Sequence, residues 1–133
     1  MENFEHLRRS GTVLLATRRR DGRCVPTPVN LAIDERGLGY FRTYPDTGKV
    51  KRIANFPDVR VAPCNRRGRP SGSDQPALAH LLVAAEAEHA AATLARRFRV
   101  LHAILGPVVD RVLGKSPVYY RLSPADEPTP WAA

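Results

Sequence analysis

The chain has 133 residues, 43% hydrophobic and 26% charged, which excludes a disordered or low-complexity polypeptide. Its formal charge of +8 is unevenly distributed: residues 1–70 carry 15 Lys and Arg against 7 acids, and residues 71–133 carry 6 of each. The excess in the first half points to an anionic partner: nucleic acid, a phosphate-bearing cofactor or a polyanionic tail. Met1–Arg9 lacks the apolar stretch of a secretory signal. Arg96, Arg97, Arg99, His102 and Pro107 interrupt the longest weakly polar run, Ala90–Gly114, so a membrane span is not expected and the chain reads as cytoplasmic.

In chain order, Thr12–Thr17 (TVLLAT) is a β-prone run ended by a charged turn whose Asp21-Gly22 is a hairpin signal. Arg23–Ile33 reads as a second strand, in which Pro26 and Pro28 send their missing donors to one edge. Asp34–Gly37 turns into a third strand, Leu38–Thr43, completing a meander. The period then changes: Asp46–Asn55 predicts a short helix with Val50, Ile53 and Ala54 on one face, Asp46 as N-cap, and Asn55 and Pro57 as its stop. Asp58–Asn65 is a fourth strand, residues 66–70 a basic turn, and Pro76–Ala85 a fifth strand. Glu86–Gly106 predicts one helix with Ala87, Ala91, Leu94, Ala95, Phe98, Leu101 and Ile104 on its stripe, and Val118–Leu122 a last strand. The expected architecture is mainly β: six antiparallel strands in a Greek-key barrel over residues 1–122, with flanking helices and a proline-rich tail, Ser123–Ala133. The strands are too closely spaced for parallel crossovers.

Thr43–Arg52 (TYPDTGKVKR) is the most informative stretch. A helix start presents unpaired N–H groups and a positive dipole end to a phosphate. There Gly48 permits close approach, Thr43 and Thr47 offer hydroxyls, and Lys49 and Arg52 share a face from which both could clamp one anion. A solvated basic helix face is the competing reading. The cysteines Cys24 and Cys64, forty positions apart with no CxxC partner, read as small buried residues of a reducing compartment. His6, His80, His89 and His102 show no metal-ligand spacing. Trp131 lies in the proline-rich tail, which reads as either disordered or docked.

The "DG…V…TPV" second strand, "YFRT" third strand, "TGKVKR" helix start and "V.VAPC..RGRP" fourth strand together resemble the pyridoxamine 5′-phosphate oxidase-like superfamily. Within it the chain is most similar to the small deazaflavin (coenzyme F-420)-dependent reductases common in actinobacteria, over about residues 8 to 122. The resemblance implies an FMN-binding split barrel that forms a homodimer with cofactor in grooves at the subunit interface. It implies that Lys49, Lys51 and Arg52, beside Thr43, Thr47 and Gly48, serve the phosphate, and that Thr27, Pro28, Val29 and Asn30 line the ring. Cys64 and Asn65 would end the fourth strand near the same groove, with ordinary strand-end packing as the alternative. Two departures stand out. Asn30 replaces a frequent aromatic residue, which implies a more open or polar pocket, and Ala54-Asn55-Phe56-Pro57 carries fewer charges for a polyglutamate tail.

The implied chemistry is hydride transfer from reduced coenzyme F-420 to an activated double bond of a small organic substrate, with Tyr44, Tyr119 or solvent supplying the proton. FMN is the alternative cofactor. A non-catalytic binder of deazaflavin, haem or another anion is a second class, and a nucleic-acid-binding barrel a third. The third is disfavoured because aromatics are 7% of the chain and none interleaves with the basic turns.

Overall fold

The apolar, β-branched run at Thr12 opens an antiparallel sheet, and a computed structural model of the chain describes residues 4–65, 67–99 and 105–125. After a 3-10 turn at Glu5–Leu7 come β1 (Thr12–Arg18), β2 (Cys24–Asn30), β3 (Ala32–Ile33), β4 (Gly39–Thr43), α1 (Gly48–Asn55), β5 (Asp58–Pro63), β6 (Gln75–Leu82), α2 (Ala84–Arg97), α3 (Gly106–Leu113) and β7 (Val118–Pro124). The strands form one sheet in the order β2-β1-β5-β6-β7-β4-β3.

The sheet has seven strands rather than the six expected, and it is not closed by hydrogen bonds. The expected second strand divides at Leu31: β2 pairs with β1, and β3 pairs with β4 at the other end of the sheet. The two ends are therefore joined through one buried residue, and Leu31 contributes to the interior. The prolines help to explain the free edge. Arg19 N–H donates to Arg23 O and Leu31 N–H to Gly11 O, so odd-numbered residues of β2 face β1. Pro26 and Pro28 then direct their missing donors away from the only partner that β2 has.

Alternate residues of the strands fill the interior: Val13 and Leu15, Val29, Phe41, Val59 and Val61, Ala77 and Ala79, Tyr120 and Leu122. Ile53 of α1 and Phe4 and Leu7 of the N-terminal segment join them. A second cluster lies under α2, where Ala90 and Leu94 meet Ala32, Tyr40 and Leu82.

The helix expected over 86–106 is observed as α2 up to Arg97; residues 100–104 lie outside the described residues, and a further helix, α3, starts where the expected one ends. α2 ends at Arg97, where Phe98 leaves helical geometry with φ −125°, and α3 begins at Gly106. Pro107 sits in the first turn, where its missing donor costs nothing, and Gly114 closes α3 with φ 65°. Of the expected stripe, Leu94 is buried, Ala87, Ala91, Ala95 and Phe98 are half-buried, and Leu101 and Ile104 lie outside the described residues. Thr47, not Asp46, stands at the N-cap position of α1 and makes no side-chain capping bond; the Asp46 carboxylate is bonded to Lys115 Nζ at 2.8 Å. β5 stops at Pro63, leaving Cys64 in an isolated bridge with Pro70. β6 spans Gln75–Leu82 because the chain turns helical at Ala84, and β7 runs on to Pro124 by pairing with Ala77. Cys24 is exposed, contrary to expectation, because it shares the outward face of β2 with Pro26 and Pro28. Trp131 and His102 lie outside the described residues. No helix among the described residues is long and apolar enough to cross a membrane.

Candidate functional site

The end of β2, the end of β4, the first turn of α1 and the start of α3 enclose a cavity of about 370 Å³. That is at the lower end of the size range of small-molecule sites, roughly 300–1,000 Å³. β2 contributes Pro28, Val29 and Asn30, β4 and the residue after it Arg42, Thr43 and Tyr44, α1 Lys49, and the α3 side Leu105, Gly106 and Val109. One wall is thus apolar, and the cations and hydroxyls come mainly from the loop joining β4 to α1.

Lys49 carries the charge of this site. It is half-buried, and no carboxylate lies within ion-pair distance of it among the described residues. Burial, with a smaller contribution from the neighbouring Arg52 charge, holds its ammonium below the usual lysine range. Arg42 is in the opposite position. Its guanidinium donates to Asp110 Oδ1 at 2.5 Å, and the Tyr44 hydroxyl donates to the same oxygen at 2.6 Å. The Asp110 hydrogen bond, then burial, pushes the Tyr44 hydroxyl up, so Tyr44 keeps its proton. The Thr43 and Thr47 hydroxyls lie 3.3 Å apart, and Thr47 also donates to Tyr44 O.

The sequence-derived residues divide into three groups. Pro28, Val29, Asn30, Thr43 and Lys49 line the cavity. Thr27 and Thr47 are hydrogen-bonded just beside it, Thr27 to Leu15 O at 3.5 Å. Gly48, Lys51, Arg52, Cys64 and Asn65 do not line it. Arg52 Nε donates to the buried Thr17 hydroxyl at 2.6 Å, and its guanidinium folds over Gly48, where a Cβ would stand 2.7 Å from Nη1. A Cβ at Gly48 would displace the end of the flexible Arg52 side chain, so the group that approaches Gly48 closely is Arg52 itself. Lys51 is exposed on α1. Asn65 Oδ1 accepts the N–H groups of Arg67 and Arg69 and so shapes the basic turn. Cys64 Sγ donates to Thr12 O, while the Thr12 hydroxyl donates to Asn30 Oδ1 at 3.1 Å, which ties that turn to the Asn30 edge of the cavity.

Sequence reasoning missed Arg42 and Asp110 as site residues and missed α3 altogether. The available signal was Pro107 and Gly114 bracketing the six residues VVDRVL, four of them apolar, with one acid, Asp110. Of the tyrosines, Tyr44 lines the cavity, whereas Tyr119 packs against the cluster under α2 and burial pushes its hydroxyl up.

A second cleft of about 320 Å³ lies on the α2 side, between Glu35, Arg36, Tyr40, Glu86, His89 and Arg121. It is built around the fully buried Asp34 carboxylate. Burial alone would raise that group, but bonds from Leu38 N–H, the Tyr40 hydroxyl, Arg36 N–H and His89 outweigh it and hold Asp34 below the usual carboxylate range. Arg36 and Arg121 both have acid partners here, Asp34 and Glu86. No cluster of three or more metal-ligating side chains occurs among the described residues.

No protein-family model matches the chain. No curated protein matches it either. Solved structures do. HutZ, the haem storage protein of Vibrio cholerae, superposes with a TM-score of 0.69 at 15% identity, over 95% of this chain and 93% of that one. An FAD-binding protein of Mesorhizobium loti gives 0.57 at 16% identity, over 90% and 83%. A candidate pyridoxamine 5′-phosphate oxidase of Listeria innocua gives 0.55 at 13% identity, over 87% and 85%. At these identities the likeness is one of fold, and it places the chain among antiparallel proteins of the split-barrel type.

Proposed function

We propose that the chain is an oxidoreductase that holds the deazaflavin coenzyme F-420 in the cavity under α3 and reduces an activated double bond of a small organic substrate. The observation that carries this reading is Lys49, a half-buried cation with no acid partner among the described residues, facing a cavity with one apolar wall. Keeping such a cation partly desolvated is costly unless an anion is to meet it.

The residues present suit an anionic, ring-bearing cofactor. Pro28 and Val29 offer apolar surface to a flat ring, Asn30 and Thr43 offer polar contacts, and Lys49 meets a phosphate. When bound, the reduced cofactor would supply hydride, and the protein would orient it and exclude water. Tyr44, whose hydroxyl Asp110 helps to keep protonated, stands at the cavity wall as a hydrogen-bond donor. The deazaflavin is preferred to FMN because the basic turn of Arg67 and Arg69, tied to the Asn30 edge of the cavity, offers further cations to an acidic tail. Haem binding, suggested by the name of the Vibrio protein, calls for an axial ligand. Among the described lining residues only Tyr44 has a side chain of that kind, and its hydroxyl is engaged by Asp110.

We also propose a homodimer with the cavity at its edge. Leu14 and Ala16 of β1 point outward half-exposed beside the exposed Pro26 and Pro28 of β2. β1 is therefore apolar on both faces, as strands are when both faces are covered. Pro28 belongs to this face and to the cavity wall.

The test is equilibrium dialysis of the purified protein with oxidised coenzyme F-420 and, separately, FMN, with the mass in solution measured by analytical ultracentrifugation. Selective micromolar binding of the deazaflavin, followed by turnover of its reduced form with an activated enone, is expected. Tight FMN binding would move the chemistry to flavins, and binding of neither would end the enzyme reading.

A further inference from the structure

The contact that fastens α3 has the chemistry of a ligand contact. A guanidinium and a hydroxyl converging on one carboxylate oxygen form a donor set that recognises phosphate and carboxylate groups. In Arg42 and Tyr44 that set lines the same cavity as Lys49, and a side chain of the protein, Asp110, fills it.

Among the described residues little else holds α3 down. Gly106 is its only buried residue, and Val108, Val109, Val112 and Leu113 are between 44% and 79% exposed. The Arg42 and Asp110 side chains, by contrast, are only 15% and 19% exposed. A second tie, Lys115 to Asp46, is solvated and so weak. Lifting α3 therefore sacrifices almost no apolar burial, and the main loss is the Asp110 pair, which an incoming oxyanion replaces in kind.

Charge balance points the same way. Asp110 cancels Arg42 and leaves the cavity with the single positive charge of Lys49. A phosphate monoester at neutral pH carries nearly two negative charges, and a phosphodiester with carboxylates in its tail carries at least as many. Releasing Arg42 from Asp110 supplies the second cation such a ligand needs.

We propose that Asp110 is a resident counter-ion of the cavity: its carboxylate occupies the Arg42–Tyr44 oxyanion subsite, and a phosphate-bearing ligand takes over both donors and releases α3 from β4. This inference rests on the cavity being the cofactor site and adds to that reading a subsite and a conformational step. The opposite role, a permanent brace that orients Arg42 for the ligand, predicts the opposite sign on removal of the carboxylate.

The experiment measures dialysis affinities of FMN and coenzyme F-420, each beside its phosphate-free core (riboflavin and the ribityl deazaflavin), for the wild type and Asp110→Asn. Asp110→Asn should bind the phosphate-bearing ligand about tenfold tighter and the phosphate-free core unchanged. Affinity that falls or stays constant, or that rises equally for both forms, overturns the counter-ion role. A melting curve shows whether the variant is folded. Independently of any variant, amide hydrogen exchange of wild-type residues 106–113 should quicken when the ligand saturates the protein, and slower or unchanged exchange overturns the release of α3. If the wild type binds neither FMN nor coenzyme F-420, the cofactor reading fails and the inference falls with it. Binding by the wild type without tightening in Asp110→Asn contradicts the counter-ion alone.

Discussion

Helices α2 and α3 both reach the outward face of β4, α2 through Tyr40 and α3 through Arg42, yet they are fastened by different forces. α2 buries Ala90, Thr93 and Leu94 against a compact apolar cluster, and the cleft beside it surrounds a buried carboxylate with donors. α3 buries only Gly106 and is held mainly by one carboxylate on Arg42 and Tyr44, beside a lysine with no acid partner among the described residues. A polar cluster whose charges cancel, packed under apolar side chains, serves the fold. A charge left over in a cavity, under a helix that gains little from packing, is what a ligand site needs.

The largest effect expected from this contrast is on stability. Leu94→Ala should cost about 2–5 kcal/mol in denaturant unfolding, because the side chain is fully buried under α2. A loss below about 1 kcal/mol would erase the distinction between the helices.

Asp34→Asn should cost roughly 1–3 kcal/mol by weakening the bonds from Tyr40, Arg36 and His89. The folded-state affinity of Asp34 for protons is depressed, so its stabilisation is present above the ordinary aspartate value of about 3.9 and is lost as pH falls through the lower folded value. The wild type should therefore lose stability more steeply than the variant below about pH 4. Parallel acid-unfolding curves would show that the cluster is not tuned in this way.

Lys49→Met sharpens the other side of the comparison. Affinity for the phosphate-bearing cofactor should fall about tenfold or more, while the melting temperature holds or rises, because the charged form is already penalised by burial. A fall in stability with unchanged affinity would make Lys49 structural. The smallest effect is expected at Val112, 79% exposed on α3: Val112→Ala should change monomer stability by no more than about 0.5 kcal/mol.

The strands and hairpins were legible because alternation and turn residues act locally. Val13 and Leu15 point in, Asp21-Gly22 turns, and Gly37 takes φ 81° as its position demands. The break at Leu31 was not legible, because nothing local distinguishes a strand that changes partners from one that continues. α1 was legible as a helix, and Lys49 as a cation in its first turn, which lines the cavity. Arg52 was not, since its alternative partner, Thr17, is 35 residues away. Asp110 lay beyond reach for the same reason: it meets Arg42 only once β4, β7 and α3 are assembled, 68 residues apart in sequence.

The most direct test of the central claim is an ¹⁵N-resolved NMR titration of the protein with coenzyme F-420, repeated with FMN. The account predicts that shift changes gather on Asn30, Thr43, Tyr44, Lys49 and Val109, around the α3 cavity, for the ligand that binds. Changes gathered instead on Glu35, Arg36, Tyr40 and His89, or no changes with either ligand, would contradict it.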